Sequence, residues 1–405
     1  SEMCLRDSHP AFLSSGIEIA PLTMPLREGI FTFPDLSRDT FKGLPGLLAD
    51  SLPDKFGNLL IDRWLAESGR SPESFDPVER LCYLGSRAMG GLEFEPTLTP
   101  EQPGSALDVT QLVELANRAL ASRGELNSDF GNEDAMSEIL RVGTSAGGAR
   151  AKAIVAWNPR TNEVRSGQVP LPQGFEPWLL KFDGIEGNHD KELVDPQGFG
   201  RIEYAYHLMA RAAGIKMSEC RLFEEGNRAH FMTRRFDRTP EGDKLHLQTL
   251  CGMAHLDFNR AGAYSYEQAF QVARRLDLPH PDAAELYRRA AFNIVARNQD
   301  DHTKNISFLM GPEGRWRLSP AYDVMWAFNP EGRWTVRHQM SIGGEVERFD
   351  RDDLLAVSKR FGVKRGGVII DEVIAAVSEW PSFASAAEVD EAFTSHIAGT
   401  HRLDI

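Results

Sequence analysis

At 405 residues the chain is longer than one hydrophobic core normally serves, so two or more lobes are expected. Its 41% hydrophobic and 26% charged residues are ordinary globular values, and 59 acidic against 45 basic side chains give a net charge of −14. That balance argues against a dedicated nucleic-acid or anionic-membrane binder and leaves room only for a local basic patch.

The four cysteines (Cys4, Cys82, Cys220, Cys251) show no paired or metal-ligand spacing, which points to a reduced, cytoplasmic protein. No apolar run approaches membrane-span length. No secretory leader is read at Ser1-Glu-Met, which is expected to be a tag scar or a cut edge.

In chain order, Ser8 to Leu13 and Pro21 to Leu26 read as short extended pieces rich in proline. A helix is expected around Asn58 to Glu67, with Leu59, Leu60, Trp64 and Leu65 on its apolar face. Pro77 to Leu84 is a second helical piece, and Arg87 to Phe94 turns into a strand. Thr99 to Ala106, rich in Pro, Gly, Gln and Ser, marks the first domain boundary. Val109 to Ser122 then forms a helix with Leu112, Val113 and Ala116 on one face.

Arg141 to Lys152 is glycine-rich and leads into a strand, Ala153 to Trp157. Glycines let backbone N–H groups approach a phosphate closely, and a nearby Lys adds charge. The stretch is not a Walker loop: it lacks Gly-Lys-Ser/Thr and runs into a strand instead of a helix. By itself it is weak evidence, since a glycine-rich stretch is more often an ordinary turn.

Glu176 to Phe182 is a strand with Lys181 near its end. A helix starting at Gly200 runs to Ala213, is stopped by Gly214, and carries Glu203. A strand Lys paired with a helix Glu is how kinases fix a phosphate-binding cation. Ala229 to Arg238 is a further strand, ending at a turn with Pro240 and Gly242.

Leu245 to Gly252 and Tyr264 to Glu267 open the second lobe, followed by helices over Glu267 to Leu276 and Ala283 to Arg297. The second helix delivers the chain to Asn298-Gln-Asp-Asp-His-Thr-Lys-Asn305. Ile306 to Met310 is a short strand, Gly311 to Gly314 a turn, and Arg315 to Leu318 the return strand, so Asp323 comes back beside Asn305. An Asp-x-x-x-x-Asn segment followed, past a hairpin, by a lone Asp is a kinase arrangement. The first Asp takes the substrate hydroxyl's proton, and the Asn and last Asp hold Mg²⁺. Asp and Asn also favour plain turns. Asp350 to Phe361 and Val368 to Val377 finish the chain as helices, with one basic cluster at Lys359, Arg360, Lys364 and Arg365.

These residues carry a family resemblance. Asn298-x-Asp300-x-His302-x-Lys304-Asn305, with Ser319-Pro-x-Tyr-Asp323 downstream, resembles the signature of HipA-type serine/threonine kinases. These are the toxin halves of bacterial HipBA toxin–antitoxin pairs. Ser145-x-x-Gly148-Ala149-x-x-Lys152 resembles that family's phosphate-binding loop, and Arg-Phe-Asp-Arg238 resembles its hinge.

The resemblance implies an α+β, two-lobed protein-kinase-like fold, with a mixed N-terminal lobe around a small sheet and a mainly helical C-terminal lobe. The expected divisions are 1–105, a HipA N-terminal subdomain beginning later than is usual for the family; 106–238, the kinase N-lobe; and 239–405, the helical C-lobe. ATP and Mg²⁺ are the expected cofactors. Asp300 is the catalytic residue, Asn305 and Asp323 the metal ligands, and Ser145 (with Thr144 as competitor) the autophosphorylation site.

Nucleotide contacts are expected from Gly147, Gly148, Ala149, Arg150, Ala151 and Lys152 in the loop, from Lys181 with Glu203, and from Arg234, Arg235 and Phe236 at the hinge. Further contacts are expected from His302, Thr303, Lys304 and Tyr322. The implied substrate is a protein of translation, such as an aminoacyl-tRNA synthetase. The implied partner is a small helix-turn-helix antitoxin of HipB type, through which any DNA contact is made. Three other readings stay open: a small-molecule phosphotransferase on the same fold, a non-catalytic antitoxin-binding corepressor, and a metal-dependent phosphohydrolase using Asp300, Asp301 and His302.

Overall fold

The structure is a computed structural model and describes residues 9–98, 107–121, 143, 150–167, 171–185 and 197–405. The chain divides into two compact units, each assembled from separated segments. One comprises Ser51–Tyr204 and Ser218–Lys244; the other comprises the residues up to Asp50, Ala205–Met217 and Leu245–Ile405.

The first unit is built on a five-stranded antiparallel sheet. Its strands are β1 (Lys152–Trp157), β2 (Val164–Ser166), β3 (Glu176–Lys181), β4 (Cys220–Glu225) and β5 (Arg228–Arg234), in the order β2-β1-β3-β5-β4. β1 is buried along its whole length, which accounts for its nearly unbroken apolar run, Ala153-Ile-Val-Ala-Trp157. Against the sheet pack the helices Lys55–Glu67 and Val109–Ala121. Phe56 and Leu60 from one, and Leu112, Val113 and Ala116 from the other, share a core with Val155, Trp178 and Leu180. The helix Lys55–Glu67 starts where Asp54 accepts from Gly57 N at 3.1 Å, and Pro77–Leu84 starts at a capping box between Asp76 and Glu79.

The second unit holds a three-stranded antiparallel sheet, β6 (His246–Thr249), β8 (Ser307–Met310) and β9 (Trp316–Leu318), in the order β6-β8-β9. A parallel pair joins β7 (Tyr264–Ser265) to β10 (Met340–Ser341). Its helices include Tyr266–Arg275, His280–Val295, Arg351–Phe361 and Gly366–Ser378. Most of His280–Val295 from Glu285 onward is buried, and Leu286, Tyr287, Ala290 and Ile294 pack with Phe308, Ile369 and Ile370. The short helices Gly46–Ala49 and Leu250–Ala254 approach so closely that a Cβ on Gly46 would lie 2.1 Å from the Gly252 carbonyl oxygen. Only glycine allows that crossing.

Two local expectations are corrected. Pro10–Leu13 is a turn of helix, not an extended piece: Pro10 sits at the first helical position and His9 Nδ1 accepts from Ala11 N at 3.2 Å. Gly85–Arg87 is a 3-10 turn, and no strand follows it among the described residues to Leu98. Gly90 at φ 78° and Pro96 interrupt any ladder there.

Candidate active site

The second unit carries the acidic loop. The helix His280–Val295 ends, Arg297 takes a left-handed φ of 57°, and Asn298 forms a parallel bridge with Ala327. The loop then presents the Asp300 carboxylate to solvent, 53% exposed, with His302 Nε2 at 4.0 Å. Asn305 Nδ2 donates to the Asp300 carbonyl at 2.7 Å. Because a carbonyl can only accept, this bond fixes the amide's orientation and turns Oδ1 the other way.

The hairpin β8–β9, in register from Phe308↔Leu318 to Met310↔Trp316, brings the chain back. Asp323 thereby lines the same cavity as Asn305. Tyr322 holds that return: its hydroxyl donates to Lys304 O at 2.6 Å and meets Ser307 Oγ. Burial pushes the Tyr322 phenol well up from its ordinary value. Asp323 itself has φ 52°, a left-handed backbone that Asp tolerates better than most non-glycine residues. An amide oxygen and a carboxylate are hard donors of the type Mg²⁺ takes from a protein, the remaining ligands being water and phosphate. The residues present therefore fit the ion. Among the described residues, no three His, Cys, Asp or Glu side chains gather to hold a metal by themselves.

The other residues expected in the loop are anchored in distinct ways. Thr303 is buried and donates to Leu256 O at 2.7 Å. His302 lies 5.5 Å from the Phe258 ring, and the Lys304 ammonium lies 4.6 Å over that same ring. Lys304 also supplies the largest attraction on Asp50, whose carboxyl burial nevertheless pushes up to about 6.

The first unit carries the cationic cluster. Lys181, at the end of β3, is ion-paired with Glu203 Oε1 from the helix Phe199–Ala212, and both are buried. The other oxygen of Glu203 holds Arg150 Nη1 at 2.9 Å, so one buried carboxylate serves two cations. Asp183, two residues beyond Lys181, accepts from Gly198 N at 3.0 Å and Gly200 N at 3.2 Å. It thereby holds the start of the helix that carries Glu203.

Lys152 pairs in register with Lys181 and reaches Asp54 Oδ2 at 3.6 Å, while Ala151 O accepts from Phe182 N at 3.0 Å. At the expected hinge, Arg235 is committed to Asp237 through Nε and Nη2, at 2.9 and 2.7 Å, and its backbone N–H donates to Pro177 O. Arg234 lies within 3.8 Å of both Glu176 and Glu219, and Phe236 is half-buried. Thr144, Ser145, Gly147, Gly148 and Ala149 lie outside the described residues.

Asp54 and Asp183 gave no signal in the sequence, and for Asp301 the residue was legible but not its partners. Asp54 and Asp183 occur in runs that read as turn or strand end. Asp301 is buried at 3% exposure, where Tyr266 OH, His338 Nδ1 and Gln339 N reach its carboxylate at 2.8 to 2.9 Å. Burial would raise that carboxyl, but His338 and these hydrogen bonds outweigh it and hold it below the usual carboxylate value.

Comparison with known proteins matches residues 144–380 to the HipA-like C-terminal domain and residues 2–95 to the HipA N-terminal domain. The chain belongs to the HipA family. Its fold is that of the HipA from the Shewanella oneidensis MR-1 toxin–antitoxin system, solved with HipB and operator DNA. The match has a TM-score of 0.68 at 17% identity and covers 98% of this chain and 92% of that one.

The α+β, two-lobed kinase-like fold expected from the sequence is therefore correct. A relative from Sinorhizobium fredii named "Putative kinase Y4mE" is 24% identical over 350 residues, 78% of this HipA-family chain and 75% of that protein. A second from the same organism, similarly named Y4dM, is 25% identical over 182 residues, 40% and 41% of the two chains. No helix among the described residues is long and apolar enough to cross a membrane.

Proposed function

We propose that this HipA-family chain is an ATP- and Mg²⁺-dependent protein serine/threonine kinase, the toxin of a type II toxin–antitoxin pair. One observation carries the reading. Asn305, oriented by its bond to the Asp300 backbone, and Asp323, on a left-handed backbone, line one cavity, while the neighbouring Asp300 carboxylate faces solvent. Asp300 accepts the proton of the substrate hydroxyl as its oxygen bonds to the γ-phosphorus and the bond to ADP breaks. Asn305 and Asp323 hold the ion, which when bound neutralises phosphate oxygens. Lys181, kept in place by Glu203, provides a fixed positive charge for phosphate, and positioning with charge neutralisation supplies most of the rate. Of the other loop residues, His302 and Lys304 contact nucleotide, and Ser145 is the autophosphorylation site.

One similarity and the net charge support the biological role. The Shewanella HipA assembles with HipB and operator DNA, which supports a small HipB-type antitoxin as partner here, with DNA reached through it. The net charge of −14 agrees with DNA contact being indirect. The substrate is then a cytoplasmic translation component such as an aminoacyl-tRNA synthetase. The test is incubation with labelled ATP and Mg²⁺, alone and with cell lysate, followed by mass spectrometry of labelled peptides. Phosphoserine or phosphothreonine that depends on Asp300 supports the reading; label that persists in Asp300→Ala, or no transfer at all, removes it.

A further inference from the structure

The loop bearing Asp300 is braced from the far end of the described chain. Arg402 N donates to Val295 O at 2.9 Å, and Arg297 Nε donates to Thr400 O at 2.7 Å, so Thr400–Arg402 and residues 295–297 hold one another. Trp326 Nε1 adds a bond to Thr400 Oγ1 at 3.1 Å. Tyr206 OH donates to Ala296 O at 2.7 Å and lies 3.0 Å from His401 Nε2. These are the residues from which the chain turns toward Asp300.

A second line of contacts reaches the loop from beyond Asp300. Arg402 Nη1 lies 3.0 Å from His338 Nε2, and His338 Nδ1 lies 2.9 Å from Asp301 Oδ2. A guanidinium can only donate. The Arg402 contact is therefore a hydrogen bond only when Nε2 carries the imidazole lone pair, which puts the proton on Nδ1, facing Asp301. The chemistry of one end dictates the tautomer at the other. His338 is wholly buried, and Tyr266 OH and Gln339 N complete the Asp301 carboxylate at 2.8 Å each. Tyr266 is in turn reached by Asn293 Nδ2 at 2.9 Å, and Asn293 Oδ1 takes Asn298 Nδ2 at 2.9 Å. Asp300 is therefore followed by a carboxylate bonded on both oxygens and preceded, two residues back, by an Asn whose Nδ2 is anchored to Asn293.

We infer that Arg402, His338 and Asp301 are positioning residues for the phosphoryl-transfer step: together they set the direction in which Asp300 presents its carboxylate. The inference rests on the kinase reading for its kinetic consequence and on the relay alone for its structural one. Misplacing a general base by a fraction of an ångström costs turnover more than nucleotide affinity, because the base meets only the acceptor hydroxyl. An element needed merely for folding would lower both, or neither.

The experiment uses the full chain with Arg402→Met, Arg402→Lys and Asp301→Asn, measuring amide hydrogen exchange by mass spectrometry alongside kcat and KM for ATP. Expected for Arg402→Met and Asp301→Asn is faster exchange confined to residues 296–306 and 338–340. With it should come a fall in kcat on the order of tenfold to a hundredfold at a nearly unchanged KM for ATP. Arg402→Lys, which still donates to His338, should recover much of both. Exchange that quickens over the whole chain, or a loop and kcat indistinguishable from the parent, overturns the relay. If the parent shows no transfer while the loop still responds to Arg402→Met, the kinase reading falls and the brace stands.

Discussion

Asp50 offers a quantitative test of the environment around the acidic loop. Its carboxylate accepts from Thr249 N at 2.7 Å and from Thr249 Oγ1 at 2.8 Å, yet burial pushes its pKa from 3.8 to about 6 against the pull of Lys304. Native Asp50 thus holds its proton more tightly than unfolded Asp50. Its contribution to stability is complete below about pH 4 and is lost as pH rises through 6. At about 1.4 kcal/mol per pH unit the loss amounts to roughly 3 kcal/mol, nearer 2 allowing for residual solvent contact.

Asp50→Asn keeps both contacts, the amide oxygen accepting from Thr249 N and the amide N–H donating to Thr249 Oγ1, and it cannot ionise. The stability difference between variant and parent, from urea unfolding at each pH, should grow in the variant's favour by about 2–3 kcal/mol from pH 4 to pH 7 and then level. His207, His255 and His401 are each depressed by burial to about 4 and titrate over part of the same range with the opposite sign. They are common to both chains and drop out of the difference. A difference flat with pH would refute the burial argument, and a slope of the other sign would mean that Lys304 dominates.

Glu203→Gln leaves Lys181 and Arg150 buried without their shared counter-charge, and should cost about 3–5 kcal/mol in chemical denaturation. Gly46→Ala drives a methyl group to 2.1 Å from the Gly252 carbonyl, against backbone that cannot swing aside, and should lower stability by about 1–3 kcal/mol in a melting experiment. Asp323→Ala should abolish the Mg²⁺-dependent part of thermal stabilisation by ATP, whereas Asp300→Asn should keep it and lose only transfer. Equal loss in both variants would contradict the division of roles between base and metal ligand.

Much of the kinase-like pattern could be read because it is local. The β8–β9 hairpin is set by an apolar run, a Gly-Pro-Glu-Gly turn and a second apolar run, which places Asp323 back beside Asn305 within twenty residues. Lys181 and Glu203 are legible as partners because a strand Lys and a helix Glu in that order match the pairing kinases use, and the structure pairs them. Other partners of these same residues had no such signal. That Glu203 also takes Arg150, that Lys152 reaches Asp54, and that Arg235 closes on Asp237 depend on which side chains share one interior.

By itself the sequence determined the succession of elements from β5 to β9 and the chemistry of the loop from Asn298 to Asn305, since both are written in spacings of a few residues. Only the tertiary structure decided that Asp301 meets His338, that His338 meets Arg402, and that Asp50 meets Thr249, 199 positions away. Periodicity shows which face of a segment is buried but not what it is buried against. A polar group's partner, and with it its charge state, is chosen by the fold that desolvates it.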